Sequence, residues 1–211
     1  MKNALLILMV ILFSQISDAQ NETHDDLWKE VAKLESEGLP ASALKIVEQI
    51  EAEAKATKNT SLEIKCMLYK SKYALILQED AQLKIIADFK AEIDKSIFPK
   101  KNILENLLAN LYWQYFNEHR WQFYNRTKTS EKVDQTDFRT WDLQTLFNEI
   151  HFYFQKSLKN GLMLQQENLD DYALLLSEVK TSKIYRPTLF DLLNHNALQF
   201  YKTNETQITK P

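Results

Sequence analysis

Gly38-Leu39-Pro40-Ala41-Ser42-Ala43-Leu44 reads as one helix ending and the next beginning within three residues. Glycine takes up the left-handed conformation that closes a helix at no steric cost. Proline is tolerated at the first helical position, where its missing N–H has no intrahelical partner to lose. A first helix is therefore predicted from about Asp25, where acidic residues favour an N-terminus, to Glu37, and a second from Pro40 to near Lys58. The same punctuation governs the rest. The chain has two glycines and, before its last residue, three prolines, and all five fall where helices begin or end. That scarcity restricts chemistry, because phosphate-cradling loops and nucleophile elbows need glycine where the backbone turns to positive φ.

Outward from this hairpin the helical pattern continues. Thr60 or Ser61 can cap a third helix, with Ile64, Leu68 and Leu75 on one face and Leu62, Tyr69, Tyr73 and Ile76 on the adjoining one. Asp80 can cap a fourth, turning Leu83, Ile86, Phe89 and Ile93 inward. Pro99 precedes a fifth, from about Lys101 to Tyr124, striped by Leu104, Leu107, Leu108, Leu111 and Tyr115. Thr127 to Asp137 is uninterrupted by apolar residues except Val133 and reads as a loop. Thr140 can cap the next helix, whose Trp141, Leu143, Leu146, Phe147, Ile150 and Phe154 recur at helical spacing up to a stop at Gly161. A shorter helix is expected from about Leu169 to Val179, and Pro187 opens the last, striped by Leu189, Leu192, Leu193, Ala197 and Phe200. The expected fold is all-α: about eight helices in antiparallel hairpins, as a helical-repeat (TPR-like) array or an irregular bundle. Starts fall about twenty residues apart, but no residue-level repeat accompanies them.

The ends and the composition bound the function. Lys2, the apolar run Ala4 to Phe13 and the small residues of Ser17-Asp18-Ala19 form a signal sequence, with cleavage expected after Ala19. That run is too short to span a bilayer, which takes about 20 apolar residues, so an exported protein with no membrane span after cleavage is expected. Residues 20–201 are read as one helical domain and 202–211 as a frayed polar tail. Lys and Arg number 26 against 29 Asp and Glu, a net charge of −3, which argues against nucleic acid as a partner. Cys66, alone, forms no internal disulfide and shares a stripe with Leu62, Tyr69 and Tyr73, the setting of a buried, inert thiol.

The constellations that could carry chemistry are sparse. A zinc helix needs two histidines four apart with a glutamate between, whereas His24, His119, His151 and His195 are isolated, so no metal and no cofactor is expected. Asp191 and His195, four apart, form a half-site or, more simply, a surface ion pair. Asp170 and Asp171 read as the acidic first turn of a helix. The densest aromatic cluster is Tyr112, Trp113, Tyr115, Phe116, Trp121, Phe123 and Tyr124, with Arg120 and Arg126 interleaved. Such a mixture can stack on bases or sugars. Its positions wrap most of the way round a helix, however, which is the mark of a helix buried between neighbours. No catalytic residue is named.

Seven motifs occur in a fixed order: Leu27-Trp28-Lys29-Glu30-Val31, Gly38 to Leu44, Leu111-Tyr112-Trp113, Arg120-Trp121, Arg126-Thr127, Arg139-Thr140-Trp141-Asp142-Leu143 and Tyr185-Arg186-Pro187-Thr188-Leu189. Together they resemble the N-terminal helical region of the very long alpha-2-macroglobulin-like proteins exported by Bacteroidota. The resemblance implies a non-catalytic module, in the periplasm or beyond, that binds or scaffolds protein: macroglobulin domains, or another envelope protein. Family members carry β-sandwich macroglobulin domains after this region, and many alpha-2-macroglobulins trap proteases through a Cys-x-Glu-Gln thioester. Cys66 is followed by Met67-Leu68-Tyr69, so no thioester carries over. Trp113, Arg120, Trp121, Arg126, Arg139, Thr140, Trp141, Asp142, Tyr185, Arg186 and Pro187 form the candidate structural or docking motif. Its arginines are expected to stack on rings while donating to carbonyls or carboxylates, and Thr140 with Asp142 and Thr188 with Asp191 to cap helices. The rival reading is a stand-alone helical-repeat adaptor that binds a peptide or an envelope protein in a groove.

Overall fold

The computed structural model describes residues 24–126, 134–176 and 182–203. The expected signal sequence and the residues up to 23, residues 127–133 of the expected loop, the end of the helix expected to reach Val179 and the tail from residue 204 lie outside them. What is described is all-α, with no strand and with adjacent helices antiparallel. The chain divides into two compact units between Glu79 and Asp80.

The first unit is a three-helix hairpin array. Helix α1 covers 24–36 and closes as expected: Gly38 has φ +72°, its N–H donates to Glu35 O at 3.0 Å, and Leu39 N–H donates to Leu34 O at 2.9 Å. These bonds satisfy carbonyls that the end of a helix leaves bare. Helix α2 spans Pro40–Thr57 and ends on left-handed Lys58, φ 55°. Asn59, in extended conformation immediately after that turn, is the cap of α3 (Thr60–Leu77) and accepts from Leu62 N–H at 3.1 Å. The expected caps, Thr60 and Ser61, are already inside the first turn, and Ser61 is buried. Val31, Ala43, Val47, Ile50, Ala54, Leu62, Cys66 and Tyr73 form the core, with Leu27, Trp28 and Tyr69 packed on it. Leu75 and Ile76, the last members of the two expected faces of this helix, are 51 % and 60 % exposed, because the core cluster ends at Tyr73. Burial first, and then the charge of Glu51, push the Cys66 thiol up to about 12, so it stays protonated and unreactive at neutral pH.

The second unit is built round α5 (Lys100–Glu118), which packs against α4 (Ala81–Lys95), α7 (Leu143–Ser157) and α10 (Leu189–Tyr201). Asn102, Ile103, Leu104, Glu105, Asn106, Leu108, Ala109, Tyr112 and Phe116 are all buried, which requires neighbours on most sides of α5. The helix stops earlier than expected. His119 leaves helical geometry at φ −116°, ψ 23°, and its imidazole Nδ1 lies 3.0 Å from Tyr115 O with its ring stacked on Tyr115 at 4.1 Å. Short α6 (Arg120–Tyr124) follows the break.

Three expected helix signals are displaced. Asp80 occupies the position before α4 without capping it, because its carboxylate accepts from Arg139 instead. Thr140 ends a single 3-10 turn, Phe138–Thr140, donating to Asp137 O at 2.7 Å, and Asp142 caps α7 by accepting from Thr145 N–H at 2.7 Å. Asn160, φ 62°, takes the left-handed position expected of Gly161, which begins α8 (Gly161–Leu164). A Cβ at Gly161 would lie 3.2 Å from Phe190 Cε2 on α10, a tight contact that glycine avoids. Leu169–Leu175 is a 3-10 segment with Asp170 and Asp171 in its first turn, followed after residues outside the structure by α9 (Ser182–Tyr185). At α10 the expected capping box is complete, Thr188 Oγ1 and Asp191 each engaging the other's N–H. Asp191 is thereby held by Thr188 and not by His195, which instead lies 3.3 Å from Gln199 Nε2.

Candidate functional site

The sequence motifs converge in part. Arg126, two turns of chain beyond the break at His119, lays its guanidinium over Phe123 at 4.6 Å and donates from Nη1 to Trp141 O at 2.7 Å. The Trp141 indole N–H in turn donates to Asp134 O, and the ring is 1 % exposed. One arginine and one tryptophan thus tie the segment 134–142 to the end of α6. Stacking and carbonyl donation by one guanidinium is the arrangement expected of these arginines.

Arg139 completes the strap. Its Nε and Nη2 grip both oxygens of Asp137 at 2.9 Å, and its Nη1 reaches Asp80 at 2.6 Å. Those hydrogen bonds, from Asp137 first and Asp80 second, push the guanidinium further toward its protonated form and hold the Asp137 carboxyl below the usual carboxylate range. Asp134 caps the turn that follows it, accepting from the Thr136 N–H and hydroxyl at 2.7 Å and from Asp137 N–H at 3.2 Å. The strap therefore carries its own turn, its own ion pair and its own anchor.

Beneath it lies an aromatic floor that the sequence did not reveal. Tyr112 stacks on Trp141 at 6.1 Å and on Tyr153 at 6.3 Å, and meets Phe138 edge-on at 5.1 Å. Lys90 Nζ lies 5.8 to 6.0 Å above the rings of Tyr112, Trp141 and Tyr153 and donates to Glu149 Oε1 at 3.1 Å. The ammonium is thus shared by three ring faces and one carboxylate. Burial raises the Tyr112 phenol well above its usual range, so its hydroxyl stays protonated; that hydroxyl makes no hydrogen bond among the described residues. Lys90 and Glu149 stand 59 residues apart, beyond the reach of any local pattern.

The remaining motif residues lie elsewhere. Trp113 is half-buried on another side of α5, against Phe116, Phe147 and Phe200 at 5.3, 5.9 and 5.2 Å. Arg120 donates to Asn117 Oδ1 at 2.9 Å and sits 5.7 Å from the centre of Phe116. Trp121 and Tyr185 are each 80 % exposed, and Pro187 is also exposed, its carbonyl accepting from Leu169 N–H at 3.1 Å. Arg186 is half-buried. Two things are therefore present in the motif set: a buttress of half-buried Arg126 and Arg139 around buried Trp141 and Asp142, and two aromatic side chains presented to solvent.

No group of three or more His, Cys, Asp or Glu side chains among the described residues is placed to hold a metal ion, and no described helix is long and apolar enough to cross a membrane. Comparison with protein-family models, with curated proteins and with solved structures finds no match to this chain.

Proposed function

We propose that this chain is an exported, non-catalytic helical module that binds or scaffolds protein, in the manner implied by its resemblance to the N-terminal region of alpha-2-macroglobulin-like proteins. Its partner in this reading is a macroglobulin domain. The observation that carries the proposal is Trp121. A tryptophan 80 % exposed is unusual for so large an apolar side chain, and tryptophan is enriched among the few residues that dominate binding energy. It does not dangle. The next position but one, Phe123, is buried against Phe116 at 5.7 Å, and Arg126 clamps that turn to Trp141. A rigid aromatic loses little conformational freedom on docking, which favours affinity. The high, burial-driven pKa of Cys66 further supports a module without thioester chemistry.

The test is a titration of the purified chain with purified macroglobulin domains from the same organism, set beside Trp121→Ala. Loss of a hot-spot tryptophan costs about 2 kcal/mol or more, roughly a thirtyfold weaker Kd. Equal affinity of the two forms would move the docking face away from α6. A wild-type chain that is folded yet ignores macroglobulin domains while binding an extended peptide would replace this reading with the stand-alone adaptor.

A further inference from the structure

α5 carries a buried carboxyl group that has no partner among the described residues. Glu105 is 3 % exposed, and among the described residues neither a hydrogen bond nor an ion pair reaches its carboxylate. Donors stand close by in sequence but are committed. Asn102 Nδ2 donates to Ser157 O and Lys159 O, each at 3.0 Å, closing the bare carbonyl end of α7. Asn106 Nδ2 donates to Ser157 Oγ at 3.1 Å and Leu193 O at 3.0 Å, and its own oxygen accepts from Asn196 at 2.9 Å. The polar seam joining α5 to α7 and α10 is thus satisfied without Glu105.

The charges that face Glu105 are known from each side. Lys101 lies on its own helix, Lys156 near the end of α7 and Lys159 in the turn beyond; all three favour the ionised form. Tyr153 of α7 feels Glu105 together with Glu149 of its own helix and Asp94 of α4. From α10 the seam receives Asn196, which is uncharged. Burial outweighs the three lysines and lifts the Glu105 carboxyl above the ordinary glutamate value of 4.5. An ionised carboxylate there is largely withdrawn from water and meets no donor among the described residues, whereas the neutral acid carries only the modest cost of a poorly paired hydroxyl.

We propose that Glu105 is an acid-strengthened latch of the second unit: α5 and α7 hold together more firmly with its carboxyl neutral than with it charged. The sign follows from linkage. A folded-state pKa raised above the unfolded value means that the folded protein binds the extra proton, so this contribution is complete below the ordinary value and is lost as pH rises through the raised one. An exported protein meets such changes of acidity without the buffering of a cytoplasm, and a latch of this kind makes its firmness depend on where it stands.

Glu105→Gln, a permanently neutral isostere, tests the latch through its pH dependence. The variant is expected to melt above the wild type at about pH 8, with the gap closing as pH falls toward about 4.5, since only the wild type changes charge in that range. Asp134 and Asp137 titrate alike in both proteins and cancel. A gap that stays constant with pH, or no gap, overturns the proposal. Should the variant fail to fold, hydrogen exchange of the wild type decides the matter: after correction for intrinsic rates, protection of α5 and α7 amides relative to α2 and α3 must rise between about pH 8 and pH 5. Protection that is flat or falls also overturns it.

Discussion

The two units solve the same problem with opposite materials. In α1 to α3 the core is small and aliphatic, four of its eight buried members being alanine or valine, and specificity is written on the surface in charge. Glu35 accepts from Lys72 at 2.6 Å and from the Tyr73 hydroxyl at 2.7 Å; Glu51 accepts from Lys55 at 2.9 Å and from Lys70 at 2.7 Å. In the second unit the core is aromatic and the polar fastening is inside, a ladder of Asn102, Asn106 and Asn110 along one edge of α5. Apolar burial is non-directional, so both units need polar contacts to choose one register among several. Where those contacts sit decides what disturbs each unit: salt reaches the surface pairs of the first, whereas the buried ladder of the second is disturbed chiefly by substitution.

The sharpest way to break the contrast is Trp141→Ala. It removes a fully buried indole, its hydrogen bond to Asp134 and one ring of the floor under Lys90. The expected cost is about 3 to 5 kcal/mol, the range for a large aromatic deleted from a core, and hydrogen exchange should show protection lost from α5 and α7 while α2 and α3 keep theirs. Equal loss in both would mean that the units do not behave independently. Next is Asn106→Leu, close in volume but unable to serve Leu193 O, Ser157 Oγ or the Asn196 amide. Orphaned buried partners cost about 1 to 3 kcal/mol each, so denaturant titration should place this variant well below wild type although it is more apolar. A more stable variant would show that the ladder selects register at the expense of stability.

The smallest effect belongs to the first unit. Burial opposes ionisation of Glu35, but its hydrogen bonds to Lys72 and Tyr73 and the Lys72 charge outweigh it and hold the carboxyl below 4.5. Stability from this group is therefore present above that value and lost as pH falls through the lowered one, the reverse of Glu105. Because the pair is partly exposed and screened, Glu35→Gln should cost only about 0.2 to 1 kcal/mol, less in high salt. Hydrogen-exchange protection of α2 and α3 at low and high salt checks it. An unchanged cost in about 1 M salt would mean that the Tyr73 hydrogen bond, not charge, supplies the effect.

What could be read from residues alone follows the range of the interaction responsible. Gly38-Leu39-Pro40 was legible because a helix stop and start are local matters of backbone conformation, and the Thr188 to Asp191 capping box because both partners lie within four residues. Near each displaced cap the sequence offers competing residues, and distant partners bear on the choice: Asp80 is taken by Arg139, 59 residues away, and a Cβ at Gly161 would press on Phe190. The break at His119 has no glycine or proline to announce it. Of the candidate motif, the stacking of Arg126 was legible from Phe123 three positions earlier, but not the carbonyl it would find. The local pattern gives Lys90, Glu149 and Glu105 none of the roles they take in the fold, since nothing short of tertiary packing distinguishes them from solvated residues.

The sealed thiol of Cys66 turns the first unit into its own gauge. A cysteine with no exposed surface and a pKa near 12 cannot meet a thiol reagent in the closed state, so every labelling event requires an opening. The chain carries a single cysteine, so the signal needs no deconvolution and no engineered probe. When opening and closing are fast relative to modification, the ratio of the observed rate to that of a free thiol is the equilibrium constant for opening α1 to α3. The aromatic unit has no such reporter and contributes nothing to it, which makes this one sulfur a gauge of the first unit alone.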